Sequence, residues 1–179
     1  MRVTAVLVAY NRRELLQESL AALAQQTRPV DRLVIVDNAS TDGAGEAAEA
    51  LVQEWGGRAR LIRLTENTGG AGGFAVGIAA AIAEDGIDWV WVMDDDTVPG
   101  PDALAGALDA HERYRATGPD DLAVMGSRVI WTDGEDHPMN TPKAKIRASS
   151  AERERAASVG AMEIRSISFV SAFLRASRV

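Results

Sequence analysis

The fold is decided by one stretch of the chain, Trp89-Val90-Trp91-Val92-Met93-Asp94-Asp95-Asp96, in which five apolar residues run directly into three carboxylates. An apolar run of this length without polar alternation is typical of a strand that is buried on both faces of a parallel sheet. In open α/β sheets, ligands bind at the carboxyl ends of such strands. We therefore expect the aspartates at a ligand-binding edge, with Asp94 and Asp96 on one side and Asp95 on the other.

Neighbouring carboxylates at such an edge repel each other and favour a cation between them. Their hard oxygen atoms suit Mg²⁺ or Mn²⁺, ions that usually complete their coordination shell with water and with the phosphates of a substrate. The alternative is that the acidic residues only begin the next helix, near Pro101. Helix capping accounts for one acidic residue but not for a row of them. The stretch therefore predicts a site for a divalent metal and a phosphorylated ligand.

The whole chain has 179 residues, a net charge of −7 and no cysteine. This length fits a single domain, and the lack of cysteine excludes disulfides and thiolate chemistry. No apolar run approaches the roughly 18 residues that a transmembrane helix needs. The acidic balance of residues 1–142 argues against a nucleic-acid partner. We expect a cytoplasmic protein, and a homo-oligomer stays open.

Residues 143–179 have the opposite balance, with 8 basic residues against 3 acidic ones. Three interpretations of this basic segment stay open: contact with a diphosphate, contact with an anionic membrane surface, or plain exposure to solvent. The second interpretation would place the protein peripherally at the inner face of the plasma membrane.

Strands and helices alternate along the first part of the chain. Before the opening stretch, apolar runs predict strands at Val3–Ala9, Leu33–Val36 and Arg60–Leu64. The helices are expected just after Asn11, which would cap the first of them, and then over Ala44–Trp55, Phe74–Ala83 and Asp102–Ala116. Two more strands are expected at Leu122–Met125 and Arg128–Trp131.

This alternation indicates an α/β fold with a Rossmann-like, mostly parallel sheet and helices on both faces. Parallel order brings the carboxyl ends of the first four strands to one edge. The loops that meet there are Tyr10-Asn11-Arg12, Asp37-Asn38, Glu66-Asn67 and Asp94-Asp95-Asp96.

Two of these loops have both a ligand-binding and a structural interpretation. Asp37 and Asn38 either contact a ligand or only form a turn. The glycine-dense loop Asn67–Gly73 either lets the backbone approach a ligand or serves tight packing of the next helix on the sheet. Residues 70–75 also fit the dinucleotide pattern G-x-G-x-x-G/A, but they do not follow the first strand, so this match is weak.

Several other side chains have simpler interpretations. Arg12 and Arg13 open the first helix at the edge, where we expect one of them to pair with a phosphate or stack on a base and the other to be solvated. His111 is expected on the surface of a charged helix, and His137 is a minor candidate for a third metal ligand. The tryptophans that we expect in the core are Trp89, Trp91 and Trp131.

Four motifs of this chain resemble the inverting glycosyltransferases of family 2, which have a GT-A fold. In order they are Val8-Ala9-Tyr10-Asn11-Arg12, Val36-Asp37-Asn38-Ala39-Ser40-Thr41-Asp42-Gly43, Asn67-Thr68-Gly69-Gly70-Ala71-Gly72-Gly73-Phe74 and Met93-Asp94-Asp95-Asp96, all within residues 1–100. The glycine block is most similar to the rhamnosyl- and galactofuranosyltransferase branch, which builds bacterial cell-surface polysaccharide. The resemblance implies transfer of a sugar from a UDP- or dTDP-sugar to a hydroxyl of a cell-surface glycan or lipid-linked acceptor.

The resemblance also implies roles for the residues at the edge. Tyr10, Arg12 and Asp37 would hold the uracil or thymine end of the donor, and Asn67 with the following glycines would line the nucleotide and sugar pocket. The full set of expected donor-binding residues is Ala9, Tyr10, Asn11, Arg12, Asp37, Asn38, Asn67, Gly69, Gly70, Gly73, Asp94 and Asp95. The expected ligands of a bridging Mn²⁺ or Mg²⁺ are Asp94 and Asp96.

We expect three parts of the chain: residues 1–131 as the nucleotide-sugar-binding domain; 132–163, where the strand and helix pattern fails, as a mobile loop or lid; and 164–179 as the start of an acceptor-side portion. The sequence departs from the family pattern at the catalytic base, which has no matching counterpart among the late acidic residues Glu135, Asp136, Glu152, Glu154 and Glu163. Because the chain ends without a stop signal, we expect more protein to follow.

Three other functions stay open beside this one. A nucleotide-binding module without turnover is compatible with the missing base. A nucleotidyltransferase would use similar carboxylates and glycines, and an NAD-binding domain would bind through Gly70 and Gly72 without a metal.

Overall fold

The computed structural model describes residues 1–117, 122–130, 133–135, 143–144, 150, 164–166 and 171–176. The strands are β1 (Val3–Ala9), β2 (Arg32–Asp37), β3 (Ala59–Arg63), β4 (Trp89–Asp94), β5 (Val124–Gly126), β6 (Lys143–Ala144), β7 (Ile164–Ser166) and β8 (Ser171–Arg175). The helices are α1 (Arg13–Ala24), α2 (Ala44–Trp55), α3 (Gly69–Ile82) and α4 (Ala103–Arg115), with a 3-10 turn at Gly56–Arg58. None of these described helices is long and apolar enough to span a membrane.

The main sheet has the strand order β3-β2-β1-β4-β8-β5, and β6 pairs with β7 in a separate antiparallel ladder. The four strands predicted first are mutually parallel, as expected, because a helix returns the chain between each pair. Their register decides where the acidic residues lie: Ala9 pairs with Asp37, and Val8 pairs with Asp94. Asp37 and Asp94 therefore reach the same edge, one residue apart in register.

The central strands are apolar throughout because helices cover both of their faces. On one face, Leu16, Leu20 and Leu23 of α1 pack against β1, β2 and β4 together with α2 and α4. On the other face, α3 packs against the alternate valines of the same strands. Each fully buried leucine contributes about 1.5–3 kcal/mol. The i, i+4, i+7 spacing of these leucines is therefore enough to dock α1.

Strand β8 is antiparallel to both β4 and β5 and lies between them. Phe173 stacks on Trp91 with ring centroids 4.8 Å apart, and the indole N–H of Trp91 donates to Ser171 Oγ at 2.9 Å. Residues 171–175 thus lie inside the main sheet, although the sequence suggested a separate portion for residues 164–179. Trp89 and Trp91 lie in the core, as predicted.

Helix α3 begins at Gly69, five residues before the predicted start at Phe74. The glycines that suggested a loop form its first turn, because the helix must approach the sheet closely. A Cβ on Gly73 would lie 2.5 Å from Val8 Cγ1, and one on Gly77 would lie 2.5 Å from Val6 Cγ1. Tight packing, the structural alternative for the glycine block, therefore accounts for Gly73.

Two further predictions differ from the structure. The strand expected at Arg128–Trp131 is reduced to a single bridge at Ile130, and Trp131 lies outside the described residues. His111 was expected on the surface but is 2% exposed, with its ring edge-on to Trp89 at 5.1 Å between centroids. The position was misjudged because the charged residues of α4 flank an inward-facing histidine. His137 and most of the expected lid, residues 132–163, also lie outside the described residues.

Replacing Gly77 with alanine tests the close approach of α3. The added methyl group meets Val6 and Val36, so we expect a loss of about 1–3 kcal/mol in the free energy of unfolding. Gly106→Ala in α4 is the matched control, because its Cβ meets nothing within 4 Å and alanine favours a helix by about 0.5–1 kcal/mol. Urea unfolding measures both changes, and equal effects of the two substitutions would contradict the packing argument.

Candidate active site

The loops that follow β1 and β2 are held together by reciprocal hydrogen bonds at the carboxyl edge of the sheet. Asn11 has a φ of 52° and accepts from Thr41 N at 2.7 Å, while its own N–H donates to Ser40 Oγ at 3.1 Å. Asp42 accepts from Arg13 N at 2.8 Å and from Ala44 N at 3.0 Å. The prediction that Asn11 caps α1 is therefore wrong, because Asp42 of the neighbouring loop accepts the first N–H of that helix.

Asp95 is the buried member of the acidic row, with 5% of its surface exposed. One carboxylate oxygen accepts from Tyr10 N at 3.1 Å, the other lies 3.4 Å from Arg12 Nη1, and its backbone carbonyl accepts from Ser19 Oγ at 2.8 Å. Burial raises the pKa of Asp95, and the N–H of Tyr10 and the charge of Arg12 oppose that rise. These contacts fix the start of the loop after β1.

Asp94 and Asp96 have more open surroundings than Asp95. Asp94 ends β4 half-buried, and burial, together with the charges of Asp96 and Asp95, raises its pKa to about 6 against the opposing charge of Arg12. Asp96 follows in a turn and pairs with Arg12 at 2.6 Å, with 42% of its side chain exposed. Side chains alternate between the two faces only within the strand, which ends at Asp94. Asp95 and Asp96 therefore both contact the Arg12 guanidinium, whereas the sequence had predicted that they lie on opposite sides.

The three adjacent aspartates supply some, but not all, of the ligands that a hard divalent cation needs. Asp94 and Asp96 offer carboxylate oxygens, and burial, followed by the charges of Asp96 and Asp95, raises the pKa of Asp94. No three acidic or histidine side chains within the described ranges converge into a complete metal site. Mg²⁺ and Mn²⁺ are commonly held by one or two carboxylates plus phosphate and water, so two protein ligands suffice.

The loop that enters α3 is fastened to the end of β2 by Asn38, which is 2% exposed. The amide nitrogen of Asn38 donates to Asn67 Oδ1 at 3.0 Å and to the Gly69 carbonyl at 3.1 Å. Its oxygen accepts from Thr68 N at 2.9 Å and from Thr68 Oγ1 at 3.1 Å. Gly69 has a φ of 72°, and a Cβ at Gly69 or Gly70 would meet nothing within 4 Å, so this part of the loop faces open space.

The side chains expected to hold a nucleobase differ in how much surface they present. Tyr10 is 44% exposed, and the Arg12 side chain is 52% exposed. Asp37 is only 5% exposed, and one of its oxygens accepts from Ser40 N at 2.9 Å. This hydrogen bond belongs to a turn, which was the structural alternative to ligand contact for Asp37. Its other oxygen lies against Gly45, where a Cβ would displace it.

The structure thus brings residues of all four predicted loops to one edge. The sequence did not reveal the residues whose hydrogen bonds hold these loops in place. They are chiefly Ser19, Ser40, Thr41, Asp42 and Thr68. These partners are common turn and helix residues. Their contacts join positions 29 or more residues apart, and nothing in the local sequence marks them.

An open, mostly parallel sheet flanked by helices defines an α/β domain of the class in which ligands bind at the carboxyl ends of the strands. Residues 4–169 match the family described as Glycosyl transferase family 2, and the chain belongs to that family. The resemblance seen in the four sequence motifs is thereby confirmed.

Two curated relatives illustrate the similarity. Galactofuranosyltransferase GlfT1 of Mycobacterium tuberculosis is 43% identical over 114 residues, which cover 63% of this chain and 36% of the relative. Succinoglycan biosynthesis protein ExoO of Rhizobium meliloti is 34% identical over 133 residues, 74% of this chain and 35% of the relative. The chain spans about a third of the length of these relatives.

Solved structures agree with the expected GT-A fold. TarS 1-349 of S. aureus superposes with a TM-score of 0.65 at 19% identity, covering 98% of this chain and 47% of that one. Mannosyltransferase PcManGT from Pyrobaculum calidifontis, in complex with GDP-Man and Mn²⁺, gives a TM-score of 0.56 at 26% identity, covering 73% of this chain and 36% of that one. The predicted α/β class with helices on both faces is therefore confirmed.

Replacing Asp94 with asparagine tests the cost of keeping this half-buried carboxylate ionised beside Asp96 and Asp95. The folded pKa of about 6 lies above the ordinary value of 3.8, so the folded state disfavours the ionised carboxylate. We expect Asp94→Asn to stabilise the metal-free protein above about pH 6, with a gain that shrinks as the pH falls from about 6 towards 3.8. Urea unfolding with a chelator, at about pH 7.5 and about pH 4.5, measures this difference.

Asp109→Asn is the matched control for this measurement. Asp109 is an exposed carboxylate that pairs with Arg113 on α4, so its replacement brings no gain at either pH. A stabilisation of Asp94→Asn that is the same at both pH values would contradict the raised pKa of Asp94.

Proposed function

We propose that this chain is the donor-binding portion of a metal-dependent inverting glycosyltransferase. The enzyme would move a sugar from a UDP- or dTDP-sugar to a hydroxyl of a cell-surface glycan or glycolipid. The observation that carries the proposal is the strand register, in which β1 pairs Ala9 with Asp37 and Val8 with Asp94. This register places two acidic strand ends and the loop entering α3 at one edge, in a chain that belongs to glycosyl transferase family 2.

The exposure of each side chain suggests which of the expected donor-binding residues contact the donor directly and which shape its pocket. Tyr10 and Arg12 have the free surface to contact the nucleotide, and Gly69 and Gly70 leave room for the donor beside the loop. The remaining members are buried or engaged in protein contacts, so they would shape the pocket through the backbone: Ala9, Asn11, Asp37, Asn38, Gly73 and Asp95. The Oδ1 of Asn67 already accepts hydrogen bonds from Asn38 and Gly69, so Asn67 would contact the donor through its other atoms.

Asp94 and Asp96 would hold Mn²⁺ or Mg²⁺ through their carboxylate oxygens. A divalent ion supplies stabilisation of the negative charge on the departing nucleoside diphosphate. The Mn²⁺ in the complex of PcManGT supports this proposal, since that protein is 26% identical over 73% of this chain. Arg12 lies 2.6 Å from Asp96 and would supply a second positive charge beside the diphosphate.

The names of the relatives favour one branch of donors. Relatives named galactofuranosyltransferase match at 43% identity, which favours a galactofuranose donor over a rhamnose donor. The name of the succinoglycan biosynthesis protein supports a polysaccharide acceptor. Contact of the basic segment 143–179 with the inner face of the plasma membrane belongs to the same proposal, although most of that segment lies outside the described residues.

Transfer with inversion requires a carboxylate that removes the proton of the attacking hydroxyl. Among the late acidic residues, Glu135 is described and exposed, and its N–H donates to Asp133 Oδ1 at 3.0 Å. The others, Asp136, Glu152, Glu154 and Glu163, lie outside the described residues. We therefore propose residues for donor binding and assign none to the base.

Calorimetric titration with UDP, dTDP and NAD, each with and without Mn²⁺, tests the proposed function. We expect UDP or dTDP to bind more tightly with Mn²⁺ than without it, and NAD to bind in neither case. Asp96→Asn should weaken the binding with Mn²⁺ by about tenfold, or about 1.4 kcal/mol, because a metal-binding carboxylate is lost. Asp109→Asn should leave this affinity unchanged, since it removes a similar exposed carboxylate on α4.

The alternatives give different results in the same titration. Binding of NAD without metal would support a dinucleotide-binding domain. Binding of UDP and dTDP that ignores both Mn²⁺ and Asp96→Asn would contradict the proposed function. A nucleotidyltransferase would be recognised in an added titration with UTP or dTTP and Mn²⁺, in which the triphosphate would bind in preference to the diphosphates.

A further inference from the structure

The side chain of Asn38 has no hydrogen-bonding capacity left for a ligand. An amide offers two N–H donors and one oxygen with two lone pairs. In Asn38 both donors are used, by Asn67 Oδ1 and the Gly69 carbonyl, and both lone pairs accept from Thr68. The residue is also 2% exposed, so a donor molecule has no access to it.

The partners of Asn38 fix which way its amide points. The Gly69 carbonyl can only accept a hydrogen bond, and the backbone N–H of Thr68 can only donate one. The nitrogen must therefore face Gly69 and the oxygen must face Thr68. An aspartate at this position would have the same shape but would turn an oxygen towards two acceptors, Asn67 Oδ1 and the Gly69 carbonyl.

The segment that Asn38 holds, Asn67–Gly69, comprises the last two residues of the connection between β3 and α3 and the first residue of α3, and is called the link below. Asn67 accepts from Gly69 N at 2.8 Å, which supports the positive φ of Gly69. Thr68, the residue before α3, makes no side-chain cap to that helix, because its hydroxyl is turned to Asn38. Helix α3 itself is fixed on the sheet by Gly73 and Gly77. The link therefore depends on Asn38 for its attachment to the end of β2.

We propose that Asn38 is a positioning residue for the nucleotide-sugar donor: it does not touch the donor but holds Asn67–Gly69 in the conformation that faces it. This inference rests on the proposed function, in which Asn67, Gly69 and Gly70 line the donor pocket. If the link were held only part of the time, the apparent affinity for nucleotide would fall in proportion to the fraction of molecules in which it is held.

Asn38→Asp tests the proposal, with Gln26→Glu as a matched control. Gln26 is another buried amide, 4% exposed, which donates to the Gly100 carbonyl at 2.7 Å and accepts from Leu104 N at 3.0 Å, away from Asn67–Gly69. Both substitutions replace a buried amide by a carboxylate. Both are therefore expected to lower stability, but only Asn38→Asp releases the link.

Three quantities are measured for the full chain and both variants: urea stability, hydrogen exchange of the amides of Thr68 and Gly69, and the affinity for UDP with Mn²⁺. We expect Asn38→Asp to speed exchange at those two amides and to weaken UDP binding by about tenfold if the link is held in about a tenth of the molecules. Gln26→Glu should leave both the exchange of those amides and the affinity as in the wild type. If Asn38→Asp does not fold, Thr68→Val removes one of the four bonds and should shift both readouts in the same direction by less.

The outcomes separate the two proposals. Wild-type protein that fails to bind UDP or dTDP with Mn²⁺ overturns the proposed function, and the positioning role falls with it. Wild-type protein that binds, together with an Asn38→Asp variant that exchanges faster but binds equally well, overturns only the positioning role. Equal weakening of binding by Asn38→Asp and Gln26→Glu also overturns it, because the loss would then follow general stability.

Discussion

The site depends on the cost of holding three adjacent carboxylates at the end of a buried strand, where burial and the neighbouring charges disfavour the ionised form of Asp94. β4 carries Asp94 to the edge, and Asp95 and Asp96 follow in a turn. Part of this negative charge is balanced within the protein. Tyr10 N–H and Arg12 contact Asp95, and Arg12 also pairs with Asp96. At Asp94, burial and the charges of its two neighbours raise the pKa to about 6 against the opposing charge of Arg12, so the carboxylate is costly to keep ionised. A divalent cation is the ligand that this imbalance favours.

The rest of the fold keeps that acidic edge in register with the loops around it. Parallel pairing with β1 sets Asp94 and Asp37 at the same end of the sheet. On the opposite side of the sheet from α1, Gly73 and Gly77 let α3 approach the valines of β1 closely. That approach places the start of α3 beside the end of β2, where Asn38 holds Asn67–Gly69. Packing of α3 in the core thus determines where Asn67–Gly69 lies at the carboxyl edge of the sheet.

Much of this architecture was predicted from the sequence. The apolar runs located β1 to β4, and the leucine spacing located the buried face of α1, because both patterns follow from the period of a single element. The carboxyl-edge rule then grouped the four site loops correctly, since it needs only parallel order. Local patterns of this kind carry enough information for the fold.

What the sequence could not supply depends on partners distant in the chain. Strand alternation separated Asp95 from Asp94 and Asp96, but nothing local showed that Asp95 is buried; Tyr10 N–H and Ser19 reach it from 85 and 76 residues away. Asn11 looked like a helix cap, but Asp42 of another loop accepts that helix N–H. Gly73 was expected in a loop because its packing against Val8 cannot be seen without the sheet. His111 was misplaced for the same reason, since Trp89 covers it.

A crystal structure of the protein grown with UDP and Mn²⁺, with anomalous diffraction recorded for manganese, tests the central claim most directly. We predict an anomalous peak within bonding distance of the Asp96 carboxylate and of both phosphates, with the nucleotide lying along Tyr10, Arg12 and Gly69. Nucleotide bound at this edge without a manganese peak beside Asp94 and Asp96 would contradict the account, as would nucleotide bound elsewhere on the protein.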